Sequence, residues 1–512
     1  MRKIVVPVVL LAIAVGALVI AHHWSSQIHS DLGTIATDDT RPAGVQTPLI
    51  STRRLTNLVA PSLITPEFTN TLENLMSEAP DTACLSVTVT ERAGTVYQSG
   101  SNLLLRPSGA LMLATLAVAL VELGPDHTFT TSVASLVEPE NGVINGDIYL
   151  IGGGDPMLFT AAYIETLQYA SAGVYTPIDN LAQQLVDDGL TLVTGAVVGD
   201  ASYFDELRHV PTWPEGLAAE QQVGTLLGLQ FDDGWVRFPN ASENQAGSQQ
   251  EQTGQQLEDD LGFVAAEDPP FYAAALFDDM LEARDVIIRR SPRSEALPNE
   301  TEVFMLGAIE SPALGEYATQ MLQNNDVEIA EMLLKEIGKH TTGRGTTRAG
   351  LEGVASTLAE LGINLSEMQM LDFDGSGLDP ANQTTCTLFG ALLENDKLRP
   401  LFENVLADAG EPGPLQTRLD SIAATSTPRV TDPARSGRIL GLAAQGTYAT
   451  ALLGYIDIGL GQELTFVFMA NEPNAPNNSA LERLQARIVA YLAELEAKPS
   501  VDDIFVLPVR IS

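Results

Sequence analysis

Lysine is scarce in this chain. Its 512 residues include only Lys3, Lys335, Lys339, Lys397 and Lys498; Lys and Arg together number 27 against 66 Asp and Glu, a formal net charge of −39. A phosphate backbone or an anionic membrane surface selects clustered cations. Their absence excludes nucleic acid as a partner and leaves no basic face for lipid. Cysteine is equally sparse. Cys84 and Cys386 form no C-x-x-C, and the scattered histidines form no H-E-x-x-H, so no metal is expected. The exposed pair His22-His23 would hold a metal only loosely. One pair of cysteines leaves a disulfide and two buried thiols equally open. Gly152-Gly153-Gly154-Asp155-Pro156 is glycine-rich but lacks the G-K-[ST] of a phosphate loop, and no cofactor is expected.

What is present is apolar. Hydrophobic residues make up 45 %, which excludes disorder throughout, and the length suggests two or three domains. Arg2 and Lys3 precede an uncharged run from Ile4 to Ala21. That run is longer than the usual core of a signal peptide and shorter than the roughly 20 residues of a spanning helix. Residues 1–23 are therefore a cleaved signal, ending at Val19-Ile20-Ala21, or an anchor. In both cases the remainder lies outside the cytoplasm, secreted or held at the cell membrane by the N-terminal segment only. Residues 24–75, rich in Ser, Thr, Pro and Asp, read as a linker that becomes ordered at its end.

Period-two alternation in Leu85-Ser86-Val87-Thr88-Val89-Thr90, a turn at Arg92-Ala93-Gly94 and the return Thr95-Val96-Tyr97 predict a hairpin. Gly109 to Leu123 is apolar all round, the mark of a central buried helix. Residues 240–258 form a polar excursion. Helices are expected from Phe271 to Arg284 and from Pro312 to Gly338, the second broken at Asn324-Asn325-Asp326. Tyr448 to Ile458 and Leu464 to Met469 predict an antiparallel hairpin, and Ser479 opens a final helix with Glu482 at capping-box spacing. Strands at both ends around central helices imply one α/β domain built from both halves of the chain, interrupted by an insertion.

Several stretches, in this order, resemble one family. They are Asn145-Gly146-Asp147-Ile148-Tyr149-Leu150 running into Gly153-Gly154-Asp155-Pro156; Val198-Gly199-Asp200 with Ser202-Tyr203-Phe204-Asp205; Asp268-Pro269-Pro270-Phe271-Tyr272-Ala273-Ala274; Ala330-Glu331-Met332-Leu333-Leu334; Asp374-Gly375-Ser376-Gly377-Leu378; and Ala409-Gly410 with Gly413-Pro414-Leu415 and Arg418. The chain is similar over about residues 80 to 495 to the low-molecular-mass, class C penicillin-binding proteins of the D-alanyl-D-alanine carboxypeptidase/endopeptidase type. The resemblance implies an α/β (α+β) transpeptidase/β-lactamase-like domain, its antiparallel sheet flanked by helices, with an inserted domain. The expected limits are 76–145 and 300–498 for that domain, 146–299 for the insertion and 499–512 for a C-terminal tail.

Enzymes of this family use S-x-x-K, S-x-N and K-T-G. A serine hydroxyl needs a neighbour to take its proton, and positions i and i+3 share a helix face. The resemblance sets the first motif on Gly109 and Met112, the second on Asn325-Asp326-Val327 and the third near Ile439-Leu440-Gly441. None keeps its reactive groups. The lysines give the same answer without alignment: Met332, Glu336, Glu394 and Leu495 stand three residues before Lys335, Lys339, Lys397 and Lys498, and no threonine follows any of them. Ser242-Glu243-Asn244 matches S-x-N by chance within the polar excursion. Ser108, Asp374, Ser376 and Arg438 are cleft candidates, but Ser108 has Leu111 at i+3, and the family carries Ser376 in a structural loop.

The resulting expectation is a cell-envelope pseudoenzyme that binds peptidoglycan stem peptides or a protein of cell-wall synthesis. The alternatives are an active serine-type D-Ala-D-Ala carboxypeptidase/endopeptidase with substituted catalytic residues, and a structural envelope scaffold.

Overall fold

A computed structural model describes residues 65–89, 94–165, 174–217, 223–237, 263–298, 302–365, 373–420, 439–446, 448–459, 462–472 and 479–495. The N-terminal segment 1–23, the linker up to residue 64, the excursion 240–258, Arg438 and the tail 499–512 lie outside them.

The stretch 24–75, expected as a linker that becomes ordered at its end, carries helical structure in its last residues. Residues 66–75, expected as the end of a linker, belong to helix α1 (Pro66–Met76), where Pro66 opens the helix and the Thr65 hydroxyl accepts from the Phe68 N–H at 3.1 Å. Phe68 and Leu72 on its inner face are buried, so the helix is part of the domain core. Strands β1 (Ala83–Val89) and β2 (Gly94–Ser99) follow as an antiparallel pair, and a short 3₁₀ turn (Ser108–Leu111) leads into the apolar helix α2 (Met112–Glu122). The insertion supplies β3 (Thr130–Ser135), β4 (Ile148–Ile151), α3 (Ile178–Asp187), β5 (Val197–Asp200), α4 (Pro269–Glu282), β6 (Arg293–Ser294) and β7 (Phe304–Glu310). The chain returns through α5 (Leu314–Asn324), α6 (Val327–Thr342), α7 (Thr347–Glu360), α8 (Cys386–Glu394), α9 (Arg399–Val405), β8 (Ala407–Asp408) and α10 (Pro414–Asp420). It ends in β9 (Ile439–Gly446), β10 (Ala449–Gly459), β11 (Gln462–Asn471) and α11 (Ser479–Ala493).

The first and last strands make one antiparallel sheet in the order β8-β9-β10-β11-β1-β2. Its two faces follow from period two along β10. Ala451, Leu453 and Tyr455 pack toward α2, α6 and α8, whereas Leu452 and Ile456 pack toward α1 and α11. Both faces are covered, which is why β10 reads as a continuous apolar run. The result is the expected mixed α/β class, an antiparallel sheet flanked by helices. A disulfide between Cys84 on β1 and Cys386 on α8 ties this sheet to its helical cover.

The insertion has its own mixed sheet, β6-β5-β4-β3-β7, covered by α3 and α4. Its central strand pairing uses β3, and its edge is β7, so the sheet spans residues 130–310. Expected limits at 146 and 299 would remove both strands from it; hydrogen-bond pairing, invisible in composition, sets the wider limits. Among the described residues no helix is long and apolar enough to cross a membrane.

Candidate active-site cleft

Four loops and a strand end converge on a cleft of about 520 Å³, one of the loops bringing Pro214 and Leu217 from the insertion. Arg106, Ser108 and Gly109 come from the approach to α2. Asn325 and Val327 come from the junction of α5 and α6. Ser376 and Asp379 come from the loop before α8, and Gln445, Gly446 and Tyr448 from the turn between β9 and β10.

The positions carried over for the first two motifs therefore meet in space, but their chemistry is absent. A Cβ on Gly109 would lie 1.6 Å from Asn325 Oδ1, so the volume of a nucleophile's side chain is taken by this amide. Asn325 ends α5 in the left-handed region (φ 55°), a conformation that Asn adopts more readily than most residues, and the turn aims its amide at Gly109. Asp326 then accepts from the Ile329 N–H at 3.0 Å and starts α6. Met112, expected where the family carries its lysine, is 1 % exposed within the apolar core. Ser108 is itself held at φ 52°, and its hydroxyl stands against Gly446, where a Cβ would approach it to 2.5 Å.

The third position differs from expectation. Ile439 pairs with Ile456 at the far end of β9, and Gly441 lines a separate small cavity beside Leu322 and Leu415. The end of β9 that reaches the cleft is Gln445-Gly446, in the triplet Ala444-Gln445-Gly446 five residues further on, about 17 Å along a strand. A K-T-G placed by geometry falls there, and only its glycine is present. The available signal was Gly446 itself, the last glycine before the β10 strand.

No described lysine reaches the cleft. Lys335 is 1 % exposed and points toward the insertion, donating to Asp205 Oδ1 at 2.8 Å and to the carbonyls of Leu207 and Leu226. Lys339 lies over the Tyr203 ring, 4.8 Å from its centroid. Lys397 lines no part of the cleft. Arg106, which the sequence reading passed over, is the one cation among the described lining residues.

The loop carrying Ser376 is pinned from below. Asp374 does not line the cleft; it accepts from Trp213 Nε1 (2.8 Å), Asn382 Nδ2 (2.7 Å) and the Gly377 and Asp379 N–H groups (2.8 and 2.6 Å). Burial holds its carboxyl above the ordinary range despite these donors. Glu331 on α6 accepts from the Gly375 and Ser376 N–H groups at 2.9 and 2.8 Å. Burial, reinforced by Asp374, pushes the Glu331 carboxyl up to about 8. Ser376 is 1 % exposed, which suits a structural turn better than a nucleophile. The cleft can thus bind through Arg106, Asn325, Gln445 and backbone groups, but its floor offers no ammonium to activate a serine.

The sequence profile of the D-Ala-D-Ala carboxypeptidase 3 (S13) family matches residues 69–259 and 254–495. The D-alanyl-D-alanine carboxypeptidase of Actinomadura sp. (strain R39) is 26 % identical over 441 residues, covering 76 % of this chain and 77 % of that protein. A carboxypeptidase of Mycobacterium tuberculosis is 23 % identical over 400 residues, covering 77 % of each. Penicillin-binding protein 4 of Haemophilus influenzae shares the fold, with a TM-score of 0.65 at 17 % identity over 83 % of this chain and 99 % of that one. This chain belongs to the D-Ala-D-Ala carboxypeptidase 3 (S13) family.

Proposed function

We propose that this member of the D-Ala-D-Ala carboxypeptidase 3 family is a non-hydrolytic, extracytoplasmic protein whose cleft holds a peptide ending in a carboxylate, of the D-Ala-D-Ala class, without cleaving it. The observation that carries this reading is the Asn325 amide in the space of the Gly109 side chain. Covalent acyl transfer needs a nucleophile with a base beside it, and this site has a glycine beside an amide. What remains is suited to holding a ligand. Arg106 supplies the positive charge for a terminal carboxylate, in the fork geometry that guanidinium offers. The Cys84–Cys386 disulfide supports an oxidising compartment.

The full chain is incubated with a fluorescent β-lactam and with a stem-peptide mimic ending in D-Ala-D-Ala. The expected result is no covalent adduct by intact mass, no released D-alanine, and reversible binding of the mimic by calorimetry. That binding weakens about tenfold or more in Arg106→Gln, the usual loss of a charge-assisted hydrogen bond. An adduct or released D-alanine would sink the non-hydrolytic reading. Absence of binding would sink the peptide-holding reading in favour of a structural envelope role.

A further inference from the structure

The insertion contains a second cavity, of about 500 Å³, that no part of the proposed function uses. It lies between the helical turn Ala161–Ile164, the strand Trp235–Arg237, the start of α3 and the outer face of α4. Its walls are aromatic and apolar: Tyr163, Trp235 and Tyr272 contribute rings, backed by Leu276 and Met280 of α4. Its charged lining is unbalanced. Asp179, Asp232 and Asp279 face one guanidinium, Arg284, and Arg284 is already paired with Asp179 at 3.2 Å.

Acidic residues continue along α4 beside Asp279, the one of the next three carboxylates that lines the cavity. Asp278, Asp279 and Glu282 of α4 hold their carboxylates within 4.8 Å of one another, and none has an ion-pair partner among the described residues. Burial and the two neighbouring carboxylates push Asp278 up to about 6. Asp232, at the inner end, is 5 % exposed and held in place by the Thr160 N–H and hydroxyl at 2.7 and 2.9 Å. Aromatic faces attract cations, Trp most strongly, and do so best where water is partly excluded.

From this cavity we infer a second binding site, for a small organic cation: a primary ammonium carried on an apolar or aromatic body. The rings and α4 side chains take the body, and the ammonium lies between Asp232 and Asp279, away from Arg284. The inference is independent of the peptide-holding cleft, which is lined by a different set of residues.

Phenethylammonium is titrated into the full chain by calorimetry, with 2-phenylethanol as the neutral match. One saturable site is expected, with the cation bound about tenfold more tightly than the alcohol, as a cation on a partly desolvated ring would be. Asp279 is exposed, so Asp279→Asn is tolerated by the fold. It should weaken the cation about fivefold, the loss of one unit charge at contact distance near water, and leave the alcohol unchanged. Trp235→Phe, which keeps an aromatic wall, should weaken the cation further than the alcohol. Equal affinity for the two ligands, an unchanged cation affinity in Asp279→Asn, or no saturable binding would each overturn the proposal. Loss of D-Ala-D-Ala binding at the cleft would not affect it.

Discussion

Gly109 and Asn325 are two ordinary residues whose consequence lies in their contact. A side chain at 109 has no room while the amide oxygen at 325 stands 1.6 Å from its Cβ. Placing a serine at 109 alone should therefore strain the site. Gly109→Ser is expected to lower stability by about 1–3 kcal/mol, the range for overpacking a filled space. Asn325→Gly keeps the left-handed turn at that position and removes the amide, so combining it with Gly109→Ser should recover most of the loss. Denaturant unfolding of the two single variants and the double variant measures this coupling. Simple additivity across the cycle would show that the two side chains do not compete for one space. Neither variant supplies a base, because Met112 remains in the core where a lysine would be required.

At the scale of elements, Glu331 on α6 pins the loop 374–379 by accepting two of its backbone N–H groups. Its carboxyl is pushed up to about 8 from an ordinary 4.5, so the folded state retains a proton that the unfolded chain has released. The contribution is fully present below about 4.5 and is lost as pH rises toward about 8. Each pH unit inside that window removes up to about 1.4 kcal/mol for such a group. Glu331→Gln keeps the acceptor oxygen and cannot ionise. Its melting temperature relative to the unaltered protein should climb steadily from the bottom to the top of the window, as differential scanning fluorimetry would show. A difference independent of pH would mean that Glu331 does not titrate there.

Much of this element plan is legible in sequence. The α5–α6 break is announced by Asn324-Asn325-Asp326, where Asn tolerates the left-handed turn and Asp caps the next helix. The β10–β11 hairpin and α11 are announced by their periodicity. The position of β9 against the cleft is not. Ile439–Gly446 is apolar or small along most of its length and mostly buried, so no alternation in its sequence marks which triplet reaches the site. That choice is made by pairing with β10 and by Ser108 packing on Gly446, contacts between segments distant in the chain. Sequence reasoning found that no lysine stands in an S-x-x-K or K-T-G, and missed both the amide beside Gly109 and the guanidinium of Arg106.

Across the whole molecule, the sheet is assembled from the two ends of the chain, with the insertion and, among the described residues, six further helices (α2 and α5–α9) between β2 and β8. Such long-range pairing carries a large loop-closure entropy that the strands alone must offset. The Cys84–Cys386 disulfide acts on that term. Its cysteines are 302 residues apart, and both are fully buried, one on β1 and one on the α8 cover. Linking them restricts the unfolded ensemble and stabilises the fold by about 2–5 kcal/mol. The paired substitution Cys84→Ala with Cys386→Ala should lower the denaturation midpoint accordingly, and a thiol reductant should do the same to the unaltered chain under conditions that open the core. The charge of −39 gives this requirement no help, since self-repulsion at low ionic strength favours expansion. Added salt should therefore narrow the gap to the disulfide-free variant only through the repulsive part, leaving the chain-entropy part intact. Equal midpoints for the oxidised chain and the Ala pair, at any salt, would show that the strand pairing closes this loop without the bond.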